Sequence, residues 1–144
     1  MPLPTGVFQV KPAIYVKFKL WLSTENHEGV FGDGKWRLLK AVEEEGSLKR
    51  AAESLGISYR KAWGDLKKAE ECLGVRFIEK TRGGQDGGHS TLTEEGKRWI
   101  KAYSDLRTDI KMRAEESFDI MLQRLSNENG NKSSNSTNCC TESK

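Results

Sequence analysis

The chain has 144 residues, of which 35% are hydrophobic and 31% charged, a composition typical of a globular protein rather than a disordered or fibrous one. No apolar run approaches the roughly 20 residues that a membrane span needs, and residues 1–10 lack the basic start and apolar stretch of a signal peptide. The three cysteines are too few and too irregularly placed for a disulfide framework, so we expect a cytoplasmic protein.

Positive charge is concentrated in the middle of the chain. Residues 35–82 hold twelve Lys and Arg against eight Asp and Glu, whereas residues 1–34 balance at three against three and residues 93–144 at nine against nine. A local basic excess is typical of a surface that binds phosphates. A solvated pair of helices can carry the same excess, so charge alone leaves both interpretations open.

The N-terminal third predicts two strands. Apolar residues alternate with polar or aromatic ones from Ile14 to Leu22, a period of two that indicates a strand with one buried face. A turn at 25–29 and a short returning strand at 30–32 follow. Residues 1–11 precede this pattern and are interpreted as an N-terminal arm.

Three helices are predicted between residues 33 and 74, each beginning at a capping residue and ending at a glycine. The caps are Asp33, Ser47 and Ser58, and the terminating glycines are Gly46, Gly56 and Gly74. The agreement of cap, apolar spacing and glycine at all three helices makes the pattern internally consistent.

A β-hairpin and a long helix complete the predicted fold. The β-rich segment 75–81, the glycine-rich loop 82–89 and the returning strand 90–92 form a wing. A helix at 93–125 follows, and residues 126–144 are polar enough to be disordered. We therefore predict a mainly α winged helix-turn-helix domain over residues 12–92, with a small β component and a long C-terminal helix.

The last helix is too long to pack along its whole length on so small a domain. Its distal apolar side chains need a partner, and a second copy of the chain is the simplest one. We predict a homodimer, with the following residues at its interface: Leu106, Ile110, Phe118, Met121, Leu122 and Leu125.

The second and third helices have the features of a helix-turn-helix. Ala51 and Ala52 supply the small residues that let two helices cross closely, and Gly56 supplies the turn. On a helical wheel the third helix turns one apolar side toward the core, namely Tyr59, Ala62, Leu66, Ala69 and Leu73. Trp63 lies at the boundary of that side. The opposite side is basic and includes Gly64, whose missing side chain permits close approach of a large ligand.

A basic helix face beside a wing predicts double-stranded DNA as the partner, with the third helix in the major groove. Arg60 and Lys61 are the candidates for base contacts, and the other basic residues for phosphate or minor-groove contacts. Core packing is the simpler role for Tyr59, and a solvated loop position for His89. The candidate DNA-binding residues are Lys49, Arg50, Ser58, Tyr59, Arg60, Lys61, Gly64, Lys67, Lys68, Arg82 and His89.

Several motifs carry a family resemblance over about residues 12–106. They are GS-xxx-AA-xx-LGIS from Gly46, LGVRFIEK from Leu73, Phe31 to Gly34, Ser58 to Trp63, the wing glycines 83, 84, 87 and 88, and Leu92 to Gly96. Together they resemble the LysR-type DNA-binding domains, and more closely the N-terminal domain of ModE-type molybdate-responsive regulators. The resemblance implies a winged helix-turn-helix, a DNA-contacting helix at residues 58–72 and dimerisation through flanking elements that include the last helix.

ModE-type regulators also have small C-terminal β-barrel domains that bind molybdate, and residues 126–144 cannot form one. We therefore expect a stand-alone DNA-binding form with no cofactor and no small-molecule ligand, molybdate included.

Other functions are less well supported by the residues. No Ser-His-Asp, Cys-His or paired-carboxylate arrangement suggests an enzyme, and no His or Cys spacing suggests a metal site. Fold alone does not determine function, so the alternatives are a winged-helix protein-interaction module and a non-specific architectural DNA binder. Structured RNA is a third alternative, disfavoured because its deep major groove does not accept a helix readily.

Overall fold

The computed structural model describes residues 13–81 and 89–135, with side chains described as far as residue 129. Within these residues the elements are β1 (Trp21–Leu22), β2 (Phe31–Gly32), α1 (Asp33–Glu45), α2 (Leu48–Ser54), α3 (Tyr59–Leu73), β3 (Ile78–Thr81), β4 (His89–Leu92) and α4 (Glu94–Asn135). The predicted fold class, a mainly helical winged helix-turn-helix, is confirmed. The predicted arm at 1–11, Arg82 and most of the wing loop lie outside the described residues.

The chain divides into two compact units. Lys19–Met112 form one unit, which contains both sheets, α1 to α3 and the first part of α4. The described residues 13–18 and 113–135 belong to the other. The winged helix-turn-helix lies within the first unit.

The helix caps follow the sequence signals at two of three positions. The Oγ of Ser47 accepts a hydrogen bond from the backbone N–H of Arg50 at 3.4 Å, and the Oγ of Ser58 accepts one from that of Lys61 at 3.1 Å. Gly74 ends α3 in the left-handed conformation, with φ at 66°. The predicted helix ends at Glu45 and Leu73 are confirmed.

Asp33 is not the cap of α1, contrary to the sequence prediction. Gly32 occupies the cap position and Asp33 is the first helical residue. The Asp33 carboxylate accepts hydrogen bonds from Tyr103 Oη at 2.7 Å and Arg107 Nε at 3.1 Å, so it binds groups of α4 instead of capping α1.

The predicted strand at 14–22 is wrong in its extent. Within the described residues of this segment, only Trp21 and Leu22 pair with another strand, opposite Gly32 and Phe31. The alternation survives as burial, because Val16, Phe18, Leu20 and Leu22 are half-buried while the residues between them are exposed. The period of two therefore predicted correctly which side chains are the more buried. It did not predict a ladder, because a ladder also needs a partner strand.

The core of the first unit lies between α1, α2 and α3 and continues under the wing. Leu39, Leu48 and Leu66 contribute one buried side chain from each of the three helices. Phe31 and Phe77 are fully buried, with ring centroids 5.6 Å apart. The aromatic contacts extend from this pair to Trp99, Tyr103 and Trp36. Helix α3 and the wing thus share one core.

The wing is an antiparallel pair in which Ile78 lies opposite Leu92 and Thr81 opposite His89. The predicted strand at 75–81 begins three residues too early, and His89 lies in β4 rather than in the loop. Thr93 fastens the hairpin to the start of α4, since its N–H donates to Phe77 O at 2.9 Å and its Oγ accepts from Gly96 N–H at 2.9 Å. Gly96 is buried against the Phe77 carbonyl, where a side chain would collide with the backbone.

Helix α4 is longer than predicted, because it continues through Asn135 rather than ending near Leu125. Residues 126–135, predicted to be disordered, are helical, and the rest of the predicted tail lies outside the described residues. The Asn, Ser and Gly of this segment have low helix propensity. They extend a helix that is already formed, however, and so avoid the cost of nucleating one.

Candidate nucleic-acid interface

The helix-turn-helix is built as the sequence predicts. Ala51 and Ala52 are fully buried on α2, and they let this helix approach its neighbours closely. Gly56 adopts a φ of 70° in the turn, a conformation that favours glycine, and the N–H of Ile57 donates to Ala52 O at 3.0 Å. Ser58 then caps α3, so the start of the third helix is fixed relative to the second.

The outward face of α3 is basic. At about 100° per residue, Arg60, Gly64, Lys67 and Lys68 lie opposite the buried side of the helix, and all four are exposed. An added Cβ on Gly64 would meet no atom within 4 Å, so nothing in the folded unit requires glycine there. Glu71, also exposed, lies on the same face one turn further along the helix.

Lys61 lies at the flank of this face rather than at its centre. Its Nζ is 2.9 Å from Asp65 Oδ2, one helical turn away, with both side chains substantially exposed. Such an exposed pair contributes little to stability, but it places a negative charge beside the ammonium. Arg60 is therefore the stronger candidate for a base contact.

Tyr59 does not face the core, contrary to the sequence prediction. Its side chain is 42% exposed, at the flank of α3 that faces strand β3. Tyr59 Oη accepts a hydrogen bond from Lys80 Nζ at 2.6 Å. The same ammonium lies 4.0 Å from the ring centroid of Trp63, which is half-buried as predicted. Helix α3 and the wing strand thus share an aromatic–cationic cluster, defined as Tyr59, Trp63 and Lys80.

Sequence reasoning missed Lys80. It lies in the four-residue strand β3, and nothing in its local pattern distinguishes it from Glu79. The alternation of strand side chains predicts that Glu79 and Lys80 point to opposite sides. Which side faces α3 depends on the packing of the hairpin, a tertiary property.

Glu70 joins α3 to the start of the wing. Its Oε1 accepts hydrogen bonds from the N–H of Phe77 at 2.8 Å and, more weakly, from that of Ile78 at 3.4 Å. These two backbone N–H groups lie where the pairing of β3 with β4 begins. The carboxylate satisfies them in place of a carbonyl from a neighbouring strand. Phe77 thus bonds across the hairpin only through its carbonyl, which accepts from Thr93 N–H, while its own N–H bonds to Glu70.

The remaining predicted contacts lie around this face. Lys49 and Arg50 are exposed in the first turn of α2, and Ser58 is exposed at the start of α3. His89 is exposed in β4. The structure thus presents on the surface every predicted DNA-binding residue that it describes, while Arg82 lies outside the described residues.

A polar network anchors α4 on the side of the first unit that includes β1. Besides the bonds to Asp33, Trp36 Nε1 donates to Ser104 Oγ at 2.8 Å. Burial of the Asp33 carboxyl opposes ionisation, but hydrogen bonds from Tyr103 and Arg107 and the charge of Arg107 outweigh it and lower the pKa. Burial and the neighbouring Asp33 carboxylate raise the pKa of Tyr103. These groups bond to one another between α1 and α4, so we assign them a role in the fold and no ligand.

The parts of the chain that the structure describes contain no helix long and apolar enough to cross a membrane. Within those same parts, no three His, Cys, Asp or Glu side chains are grouped as metal ligands.

Residues 34–97 match the family model for the bacterial regulatory helix-turn-helix proteins of the LysR family. The matched segment begins in α1, includes the whole helix-turn-helix and the wing, and ends in the first turn of α4. Over these residues the chain is similar to the LysR-type helix-turn-helix domain.

Curated proteins similar to this chain include ModE proteins. The chain is 31% identical over 98 residues to the molybdenum transport protein ModE of Azotobacter vinelandii, covering 68% of this chain and 35% of that protein. It is 34% identical over 84 residues to the DNA-binding transcriptional dual regulator ModE of Escherichia coli K12, covering 58% of this chain and 30% of that protein. The chain thus spans about a third of the length of these relatives.

Among solved structures, the chain is similar to the BenM DNA-binding domain in complex with benA site 1 DNA. The TM-score is 0.43 and the identity 25%, with 65% of this chain and 93% of that chain covered.

Proposed function

We propose that this protein is a sequence-specific DNA-binding transcription regulator that acts as a homodimer and inserts α3 into the major groove. The observation that carries the proposal is the outward face of α3, where Arg60, Lys67 and Lys68 surround an exposed Gly64 within the segment that is similar to a LysR-type domain. The E. coli relative, whose name describes a DNA-binding transcriptional regulator, supports the same function.

The chemistry of this face suits duplex DNA. A guanidinium can form two hydrogen bonds to the O6 and N7 of guanine, which gives Arg60 a means of reading sequence. Lys67 and Lys68 can neutralise phosphates on either side of the groove. Lys49 and Arg50, at the start of α2, add cationic groups that position the domain without reading bases.

The homodimer rests on α4. Within the second unit, Phe118, Met121, Leu122 and Leu125 recur at spacings of three and four, so they share one helical face. Met121, Leu122 and Leu125 are 46%, 37% and 52% exposed in the isolated chain. Leu106 and Ile110, on the part of α4 that belongs to the first unit, are the other predicted interface residues. Association of two copies would remove this apolar surface from water.

We expect the regulator to work in the cytoplasm, without enzymatic activity and without a cofactor. The E. coli relative is a regulator, not an enzyme, by name. Molybdate binding is not expected of this chain, since its similarity to ModE proteins lies in the winged helix-turn-helix region.

Selection of bound fragments from a random duplex library, at near-physiological salt, tests the function. A palindromic motif with half-sites about one helical turn, or a small multiple, apart is the expected result. Salt-sensitive binding without a motif would instead indicate an architectural binder. No binding at any salt concentration would contradict the proposal and favour a protein-interaction module.

Light scattering during size-exclusion chromatography tests the dimer. We expect a dimer for the unsubstituted chain and a monomer after Leu122→Lys, which places a charge in the apolar face. Glu116→Lys is the control, because Glu116 is exposed on the same helix. If the wild-type protein is a monomer in solution but still selects a palindrome, dimerisation occurs only when it is bound to DNA.

Two substitutions separate base reading from phosphate binding. Arg60→Ala should cost about 1–3 kcal/mol on the selected site and relax selectivity at one position of the motif. Lys49→Ala should weaken binding to selected and random duplexes by the same factor. Equal losses on both duplexes for Arg60→Ala would contradict its role as a base contact.

A further inference from the structure

We propose that Tyr59 and Lys80 form a binding site for one backbone phosphate of DNA, located between α3 and the wing. The inference rests on the proposed DNA-binding function and adds a site that combines a helix residue with a strand residue. It also changes the role of Tyr59 from a buried or base-contacting residue to a hydrogen-bond donor to phosphate.

The first support is the arrangement of donors. Lys80 Nζ donates to Tyr59 Oη at 2.6 Å. The tyrosine hydroxyl accepts this bond with an oxygen lone pair, so its own proton remains to be donated outward. The ammonium has two further protons. A phosphate oxygen placed against the exposed side of the pair can therefore accept from both groups at once.

The second support is charge. Within the described residues neither Lys80 nor Lys67 forms a salt bridge, unlike Lys61 with Asp65 and Lys101 with Asp105. Glu70, the carboxylate on this flank of α3, is already bonded to the N–H groups of Phe77 and Ile78. The positive charge of the site is therefore available to a phosphate when DNA is bound.

The third support is preorganisation. The Lys80 ammonium lies 4.0 Å from the Trp63 ring centroid and 5.3 Å from that of Tyr59, so two rings and a hydrogen bond fix its position. Lys67 approaches the same indole, at 5.5 Å. Cation–π contacts attract the ammonium to the ring faces and so restrict the rotamers of the lysine. Less side-chain entropy is then lost when a ligand binds.

Equilibrium binding across a salt series is the first measurement, on the library-selected duplex and on a random duplex of equal length. We expect Lys80→Met to weaken both complexes by about 3- to 10-fold per protomer that contacts DNA. It should also reduce the slope of log K against log salt by about 1 per protomer. Tyr59→Phe should lower affinity without changing the slope, because it removes a hydrogen bond but no charge.

Two controls separate a ligand contact from a structural brace. Lys80→Arg keeps the charge and the stacking and should restore the wild-type slope. Lys101→Met removes an exposed lysine of α4 that pairs with Asp105, and it should leave affinity and slope unchanged. Thermal unfolding of each variant shows whether the wing remains folded.

A scan with duplexes carrying one neutral methylphosphonate locates the phosphate. At one position in each half-site, the methylphosphonate should lower the affinity of the wild-type protein but not that of Lys80→Met. If Lys80→Met retains the wild-type affinity and slope, or if no position shows this difference, the phosphate site is wrong. If wild-type protein binds no duplex, the proposed function itself fails, and the two failures are thereby distinguished.

Discussion

Gly64 offers a test in which stability and function are expected to change in opposite directions. Glycine in the interior of a helix costs about 0.5–1 kcal/mol relative to alanine, because it leaves the unfolded chain with more conformational freedom. Gly64 lies in α3, is exposed, and an added Cβ would meet nothing within 4 Å. Gly64→Ala should therefore stabilise the free protein by that amount.

The same methyl group should impair DNA binding. If α3 lies in the major groove with Gly64 against the DNA, the methyl must displace either the helix or the groove wall. A loss of at least about tenfold in affinity, equivalent to about 1.4 kcal/mol, is the expected consequence. The melting temperature should meanwhile rise by about 2–8 °C for a domain of this size. Calorimetry and duplex titration, performed on the same sample, provide the two measurements.

Gly34→Ala is the matched control. Gly34 is an exposed glycine of α1 with equal space around it, and it lies outside the proposed DNA-binding face. Its substitution should raise stability and leave DNA affinity unchanged. Wild-type affinity in Gly64→Ala would refute the close approach of DNA to this position, and a drop in stability would refute the assignment of Gly64 to function rather than folding.

Two further predictions concern the support of the site. Gly96→Ala should destabilise the protein by about 1–3 kcal/mol in chemical denaturation, because its Cβ would collide with the Phe77 carbonyl; unchanged stability would show that the wing can move away from α4. Asp33→Asn should lower the free energy of unfolding by about 1–3 kcal/mol at neutral pH. The pKa of Asp33 is lower in the folded protein than its unfolded value of 3.8, so the ionised carboxylate stabilises the fold above pH 3.8. This contribution is lost as the pH falls through the folded pKa. The difference in stability between wild type and Asp33→Asn should therefore shrink below pH 3.8. A difference that stays constant from pH 7 to pH 2 would contradict the ionised role of Asp33.

The local signals in the sequence were sufficient to predict α1 to α3. Ser47, Ser58, Gly46 and Gly74 act within one helical turn of their own position, so their effect is readable without knowledge of the fold. The outward face of α3 followed from the same helical period. Gly56 was likewise readable, because its backbone conformation is set by the turn itself.

Three failures of prediction involve residues whose environment depends on distant parts of the chain. Asp33 has the chemistry of a cap, but Tyr103 and Arg107, about 70 residues later, offer it better partners. Tyr59 falls near the apolar side of the wheel, yet Lys80 holds it at the surface. The alternation at 14–20 matched a strand, but strand pairing needs a neighbour that the described residues do not supply.

The Glu70 carboxylate has a consequence for how DNA contacts combine. Because this side chain of α3 bonds the backbone of the wing at Phe77 and Ile78, a shift of the helix in its groove is transmitted to the hairpin. Contacts made by helix and wing should then be thermodynamically coupled rather than independent. A base change under α3 should alter the free energy that the wing contributes at the neighbouring groove, and the measured site preferences should depart from a simple sum over positions.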